Sequence, residues 1–468
     1  MGFEEEEVLE PVSPIAHYLN SSVLSISILC VLEIEVPIDD SQTMSLLQNV
    51  FLPINPRFSS VMARDGKGEK KWKRVAVNLQ DHVIVPVFPQ GKSEEFYNDY
   101  FSDYLTNIGM DQFPQNRPLW EIHIIKYPTS NAAGSVIFKI HHSLGDGYSL
   151  MGALLSCLQR ADNPSLPLTF PSRQSSSKPR HDSVSIFRWV PRFISGMVNS
   201  VSDIGWSLLK SSVVEDDQTP IRSGEDGVQF RPVTITTITF HLEQIKQIKA
   251  SLKVSINDVI TGIIFLGTRL YMQATGHEFG SADSTALVLF NTRAMEGYKS
   301  VNEMVKTNSE MPWGNRFTFL QVSIPKLTVA DSSNPLRFVF EAHQLIKRKR
   351  NSFAVVLNSM LLETLRKLRG SEAASKLFLK ILKSSSILIS NMIGPVEQMA
   401  LASHNVSGMY FTVAGNPENA IITIVSYMGK LMVSMAMDKD FINSHKFKEC
   451  IENAYEIILT AAIQKSSS

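Results

Sequence analysis

A run of roughly eighteen apolar residues, enough to cross a bilayer as a helix, is missing from this chain. Cysteine is scarce as well: Cys30, Cys157 and Cys450 are widely spaced and lack metal-ligand spacing. A disulfide framework and a thiolate metal site are therefore not expected, and a reducing, cytosol-facing environment is. Neither charge is in excess, since Lys plus Arg and Asp plus Glu number 45 each, which removes the electrostatic case for nucleic acid as a partner. No Gly-x-Ser-x-Gly elbow exists to raise a serine nucleophile, so a lipase of that kind is disfavoured. Residues 4–7 are all glutamate, opposite in sign to a signal or transit peptide, and secretion is not expected.

What is present fits a large mixed α/β protein. A length of 468 residues exceeds the usual single-core size, so two domains are expected. Residues 1–165 read as the first domain, 231–468 as the second, and 166–230 as a linker. Residues 162–182, across the start of the linker, are rich in Pro and Ser and residues 211–229 are polar, so both read as loops. Between them Ile186, Val190, Phe193, Ile194, Met197, Val201, Ile204 and Leu208 recur at helical steps, flanked by Trp189 and Trp206 with Arg188, Arg192 and Lys210. That stripe suits a helix lying in a membrane interface and equally one packed on the protein. Residues 23–36, broken by Glu33 and Glu35, read as a strand; residues 232–241 read as an edge strand. Residues 421–427 and 431–437 read as a hairpin around Met428-Gly429-Lys430, and a helix is expected from Asn443 onward.

Chemistry concentrates at His141-His142-Ser143-Leu144-Gly145-Asp146-Gly147. Val136 to Ile140 form a buried-strand run before it, and residues 148–160 read as a helix after it. Period-two alternation puts His142 with Val136, Phe138 and Ile140, and His141 on the other face with Ile137 and Lys139. The two imidazoles therefore have different jobs, and one metal ion would be hard for both to reach. Gly147 is expected to supply the positive φ of a sharp turn, while Asp146 caps the helix or meets a buried arginine.

This motif resembles that of the CoA-dependent acyltransferase superfamily, and other segments narrow the resemblance to the plant wax ester synthase/diacylglycerol acyltransferase branch. Glu10-Pro11-Val12-Ser13-Pro14 is similar to the opening motif and Pro118-Leu119-Trp120-Glu121 to the motif before the catalytic strand. Asn257-Asp258-Val259, Gly314-Asn315-Arg316-Phe317 and Ser390-Asn391-Met392-Ile393-Gly394-Pro395 resemble the remaining blocks, so the likeness covers nearly the whole chain. Ser-Leu-Gly stands where the family often has bulkier residues before Asp, and Met392-Ile393 replaces a commoner Val-Pro, departures that bear on substrate range. The resemblance implies two chloramphenicol-acetyltransferase-like domains with a substrate tunnel at their interface. It implies fatty acyl-CoA as co-substrate, no permanently bound cofactor or metal, and a long-chain fatty alcohol or diacylglycerol as acceptor. It also implies a membrane surface as partner, in the endoplasmic reticulum with the plasma membrane as a second location, and a site facing the cytosol.

By the same resemblance His142 is the general base for attack of a hydroxyl on the thioester, His141 supports it, and Asp146 is structural, pairing with an arginine. Arg293, after an apolar strand, is the candidate partner, although a surface arginine fits that position as well. Ser255 and Asp258 read as a capping-box variant opening a helix from Val259 to Leu270. Asn257 and Asn391 are candidates to present amides to an oxyanion. The basic run at residues 347–350 fits CoA phosphates or anionic headgroups, or else a solvated helix end that complements the dipole. The loop expected at residues 67–74 carries the same two readings. Competing expectations are an acyltransferase for another alcohol or amine and a noncatalytic lipid-binding relative. The Asp-Phe-Gly-Trp-Gly motif of plant secondary-metabolite acyltransferases is missing, and no carrier module adjoins as in peptide condensation.

Overall fold

The computed structural model describes residues 10–66, 70–169, 215–225, 231–291, 313–327, 334–350 and 354–467. Two large sheets organise the molecule. The first has seven strands in the order β5 (Val83–Ile84), β6 (Trp120–Ile125), β7 (Gly134–His141), β2 (Ser27–Ile34), β14 (His404–Ala414), β13 (Met399–Leu401) and β8 (Gln159–Arg160). The second has six, ordered β11 (Phe317–Ser323), β10 (Thr285–Asn291), β12 (Ile387–Ile393), β15 (Ala420–Tyr427), β16 (Lys430–Asp438) and β9 (Val233–His241). A small third sheet joins β1 (Glu10–Pro11), β4 (Lys70–Arg74) and β3 (Ser60–Arg64). The expected loop at residues 67–74 is therefore a strand from Lys70 on, and residues 67–69 lie outside the described set.

Local sequence accounts for the elements that hold the site. β7 runs Gly-Ser-Val-Ile-Phe-Lys-Ile-His and is buried along its length, pairing antiparallel with β2 on one side and β6 on the other. Its β-branched and aromatic residues pack on both faces of a central strand. The hairpin of β15 and β16 turns at Met428 and Gly429, both at positive φ as a tight two-residue turn requires. β9 does lie at a sheet edge. The helix after the histidines covers Gly147–Ser156 and ends earlier than expected, because residues 159–160 pair with β13. Ser255 caps the Ile256–Thr275 helix through a full capping box with Asp258.

The two-domain division needs two adjustments. β13 and β14 belong to the second half of the sequence but complete the first sheet, β14 lying directly against β2. The end of the expected linker is also docked structure. Asp216 accepts from the Thr285 backbone at 2.7 Å and from the Ser386 hydroxyl at 2.8 Å, and Ile221 is fully buried in the second core. The amphipathic stretch at residues 186–209 falls outside the described residues. No single helix among them is long and apolar enough to cross a membrane. Leu242–Leu252 and Ile256–Thr275 meet that measure only as a pair bent by 99°.

Candidate active site

Between the two sheets lies a cavity of about 1220 Å³. Alternation along the first sheet puts Ile28 and Cys30 of β2, Phe138 and Ile140 of β7, and Met409, Phe411 and Val413 of β14 on its wall. His142, one step beyond β7, continues that face and enters the cavity, while His141 does not line it. The backbone N–H groups of the pair are fixed in turn, His141 donating to Leu119 O at 2.9 Å and His142 to Ile26 O at 2.8 Å.

The protonation pattern of His142 follows from one neighbour. His142 Nδ1 lies 3.0 Å from Asn315 Oδ1, and Asn315 Nδ2 donates to the His142 carbonyl at 2.9 Å. A carbonyl only accepts, so the amide nitrogen faces it and the amide oxygen faces the ring. The ring therefore carries its proton on Nδ1, leaving Nε2 with a lone pair and no hydrogen-bond partner among the described residues. Burial holds the His142 pKa below 6.5, outweighing its own backbone, the Asp146 carboxylate and the Asn315 amide. The ring is neutral at pH 7. Phe317 packs beside it with centroids 5.3 Å apart.

His141 is built for another purpose. Its Nδ1 accepts from the Ser143 backbone at 3.1 Å, so Nε2 carries the proton toward Ser25 Oγ at 3.1 Å. Burial, with the neighbouring His142 next in effect, pushes its pKa down to about 3. This buried, neutral, doubly bonded ring locks the strand end behind His142.

Asp146 is a connector. One oxygen caps the Gly147–Ser156 helix by accepting from Ser149 N at 3.0 Å, and the other accepts from Arg316 N at 2.9 Å. It thereby ties the histidine turn to the segment bearing Asn315. Ser149 Oγ donates to Gly314 O at 3.2 Å, and Trp313 Nε1 donates to Leu144 O at 2.8 Å, closing the same seam. Arg293, the arginine expected to meet Asp146, falls outside the described residues. Gly147 departs from expectation: its φ is not positive, and it sits at the first position of the helix. Its missing side chain serves packing, because a Cβ there would stand 2.5 Å from Met392 Sδ.

Asn257 and Asn391 both line the cavity and meet each other, Asn391 Nδ2 donating to Asn257 Oδ1 at 2.6 Å. One Asn391 N–H is thus engaged, while the Asn257 nitrogen has no hydrogen-bond partner among the described residues. Asn315 was missed as a site residue although its block stood out in the sequence, because nothing in a single chain reveals which strand-distant amide reaches a histidine.

Two facing mixed sheets that enclose one cavity, with a neutral imidazole exposing its Nε2 to it, have the architecture of an acyltransferase. Residues 48–260 match the wax ester synthase/diacylglycerol acyltransferase catalytic domain, and residues 313–459 match the WS/DGAT C-terminal domain. The chain belongs to the wax ester synthase/diacylglycerol acyltransferase family and is an acyltransferase. It is 28% identical to wax ester synthase/diacylglycerol acyltransferase 4 of Arabidopsis thaliana, across 99% of this chain and 92% of that protein. Its fold is similar to the wax ester synthase/diacylglycerol acyltransferase of Marinobacter aquaeolei VT8, with a TM-score of 0.60, 15% identity, and coverage of 97% and 99% of the two chains. It is also similar to a mutant starter condensation domain of rhizomide synthetase in complex with C8-CoA and Leu-SNAC, with a TM-score of 0.56, 10% identity, and coverage of 97% and 94%.

Proposed function

We propose that this acyltransferase moves a fatty acyl group from acyl-CoA to the hydroxyl of a long-chain alcohol, giving a wax ester, and to diacylglycerol as a second acceptor. His142 is its general base. The observation that carries this reading is the tautomer: Asn315 holds the proton on Nδ1, which leaves Nε2 basic inside the cavity. An alcohol has a high pKa and needs its proton removed as it attacks. In the reading, Nε2 takes that proton while the alcohol oxygen bonds to the thioester carbonyl carbon. The tetrahedral intermediate then breaks its C–S bond, and the imidazolium returns the proton to the departing CoA thiolate. No covalent acyl-enzyme forms. Asn257, braced by Asn391, offers the open amide that meets substrate at the cavity wall, and Asp146 keeps a structural role.

We assign the acceptor to delivery from a membrane surface, on the cytosolic face of the endoplasmic reticulum with the plasma membrane as a second location. The family likeness supports this, as do Leu166 and Ile393, which line the cavity and are nonetheless 47% and 38% exposed. The decisive experiment supplies purified protein with labelled acyl-CoA and either a long-chain alcohol or diacylglycerol. His142→Ala, checked for folding by circular dichroism, is expected to lose about 10²- to 10⁴-fold in rate with both acceptors. Unchanged turnover removes His142 as the base. Lipid binding without any ester in the wild type instead marks a noncatalytic lipid-binding protein.

A further inference from the structure

We infer that Lys347 and Arg350 form the phosphate-binding subsite for the CoA moiety of the thioester, an inference that rests on the acyl-CoA reading above. The Arg337–Arg350 helix ends in four consecutive cations, and helical periodicity sorts them. His343, Ile346, Lys347 and Arg350 recur at three- and four-residue steps and line the cavity that holds His142. Arg348 and Lys349 do not line it, and each is engaged elsewhere, Lys349 being buried. Lys347 and Arg350, by contrast, have no ion-pair partner among the described residues.

Position decides what these two cations meet. Among the described residues the cavity wall carries two carboxylates, Asp146 and Asp258, and both are already committed. Asp146 accepts from backbone N–H groups, and Asp258 Oδ2 accepts from Ser255 N at 2.8 Å and contacts His343 Nδ1 at 2.9 Å. The His343 contact pins the cavity-facing side of this helix to the start of the Ile256–Thr275 helix, which fixes where Lys347 and Arg350 project. In a chain whose charges balance at 45 each, two cations on the cavity wall with no ion-pair partner among the described residues, where the wall's carboxylates are already bonded, constitute an anion site. Arginine's planar fork matches a phosphate and lysine adds a point charge. The shared ligand chemistry is a phosphate ester. Of its two sources, CoA and an anionic headgroup, CoA is favoured because these cations share one continuous cavity with the histidine that must meet its thioester.

Binding calorimetry with free CoA and with pantetheine, which lacks every phosphate, isolates the subsite from turnover. The proteins are the full chain and its Lys347→Ala/Arg350→Ala variant; both positions are exposed, and matching melting midpoints check the fold. The wild type is expected to prefer CoA strongly, and the variant to lose about tenfold in CoA affinity per cation removed, so that the CoA-to-pantetheine ratio falls toward one. The wild-type preference is expected to weaken as salt rises. A variant that keeps the wild-type ratio overturns the inference. So does a variant that instead stops co-sedimenting with phosphatidylserine vesicles, since the cations then serve a lipid surface. Phosphate-dependent CoA binding without ester formation would sink the acyl-transfer reading and leave the subsite standing, so the two failures are distinguishable.

Discussion

Asn315 does for His142 what a carboxylate does for many catalytic histidines, but without charge, and under the proposed role of His142 the difference sets the pH at which the ring can accept a proton. An amide oxygen orients the ring and fixes its tautomer while contributing little to stabilising the imidazolium. Burial therefore dominates, and the His142 pKa lies below 6.5. The ring is deprotonated above that pKa, so with His142 in the proposed role kcat/KM is expected to rise with pH along a limb below 6.5 and to be flat from pH 7 to 8. Replacing Asn315 by aspartate puts an anion at Nδ1, favours the charged ring, and moves the limb upward by about one to three units. The pH profile of Asn315→Asp against wild type reads this directly. An acid limb that stays in place would mean that Nδ1 is not held by residue 315 during turnover.

At the scale of elements, three blocks far apart in sequence converge on the turn after β7. The residues around Trp120 supply the Leu119 carbonyl that receives His141 N–H, residues 313–316 supply Asn315 and the Asp146 contact, and β12 supplies Met392 over Gly147. The last contact makes a clean test. Gly147 has no positive φ, so alanine there carries no backbone penalty and its effect reports only the 2.5 Å approach to Met392 Sδ. Gly147→Ala is expected to cost about 1–3 kcal/mol of stability by overpacking, and much less in a Met392→Ala background. Denaturant unfolding of the four proteins of the cycle measures the coupling. Equal penalties in both backgrounds would assign the cost to something other than Met392. The sequence made the individual elements legible here, because β7, the Gly147–Ser156 helix and the Ser255 cap are specified by local pattern and by residues within a turn of each other. The glycine's purpose was not legible: a turn glycine at positive φ and a glycine beneath a methionine look alike until the distant strand is placed. Asn315 was hidden for the same reason, its partner being 173 residues away.

For the whole molecule, the crossing of β13 and β14 decides whether the two halves are separable. Composition and loop signals divide the sequence near residues 166–230, yet the first sheet is completed by strands contributed from beyond residue 398, a pairing set by register that no local pattern announces. β2 is buried along nearly all its length, and it pairs with β14 from Ser27 opposite Ala414 to Ile34 opposite Val406. Without β14 that strand would be an exposed apolar edge, a template for aggregation. The first core likewise draws Phe378, Met409, Ile421 and Met432 from the second half. A chain cut between residues 170 and 214 is therefore expected to give an N-terminal fragment that aggregates alone and becomes soluble when produced with its complement. The intact protein is expected to unfold in one cooperative thermal transition, because loss of the second half removes a central strand of the first sheet. Calorimetry of the intact chain and size-exclusion chromatography of the fragments test this together. Two resolved transitions, or a soluble monomeric N-terminal fragment, would show that β2 tolerates an open edge and that the exchanged strands are dispensable to the fold that holds His142.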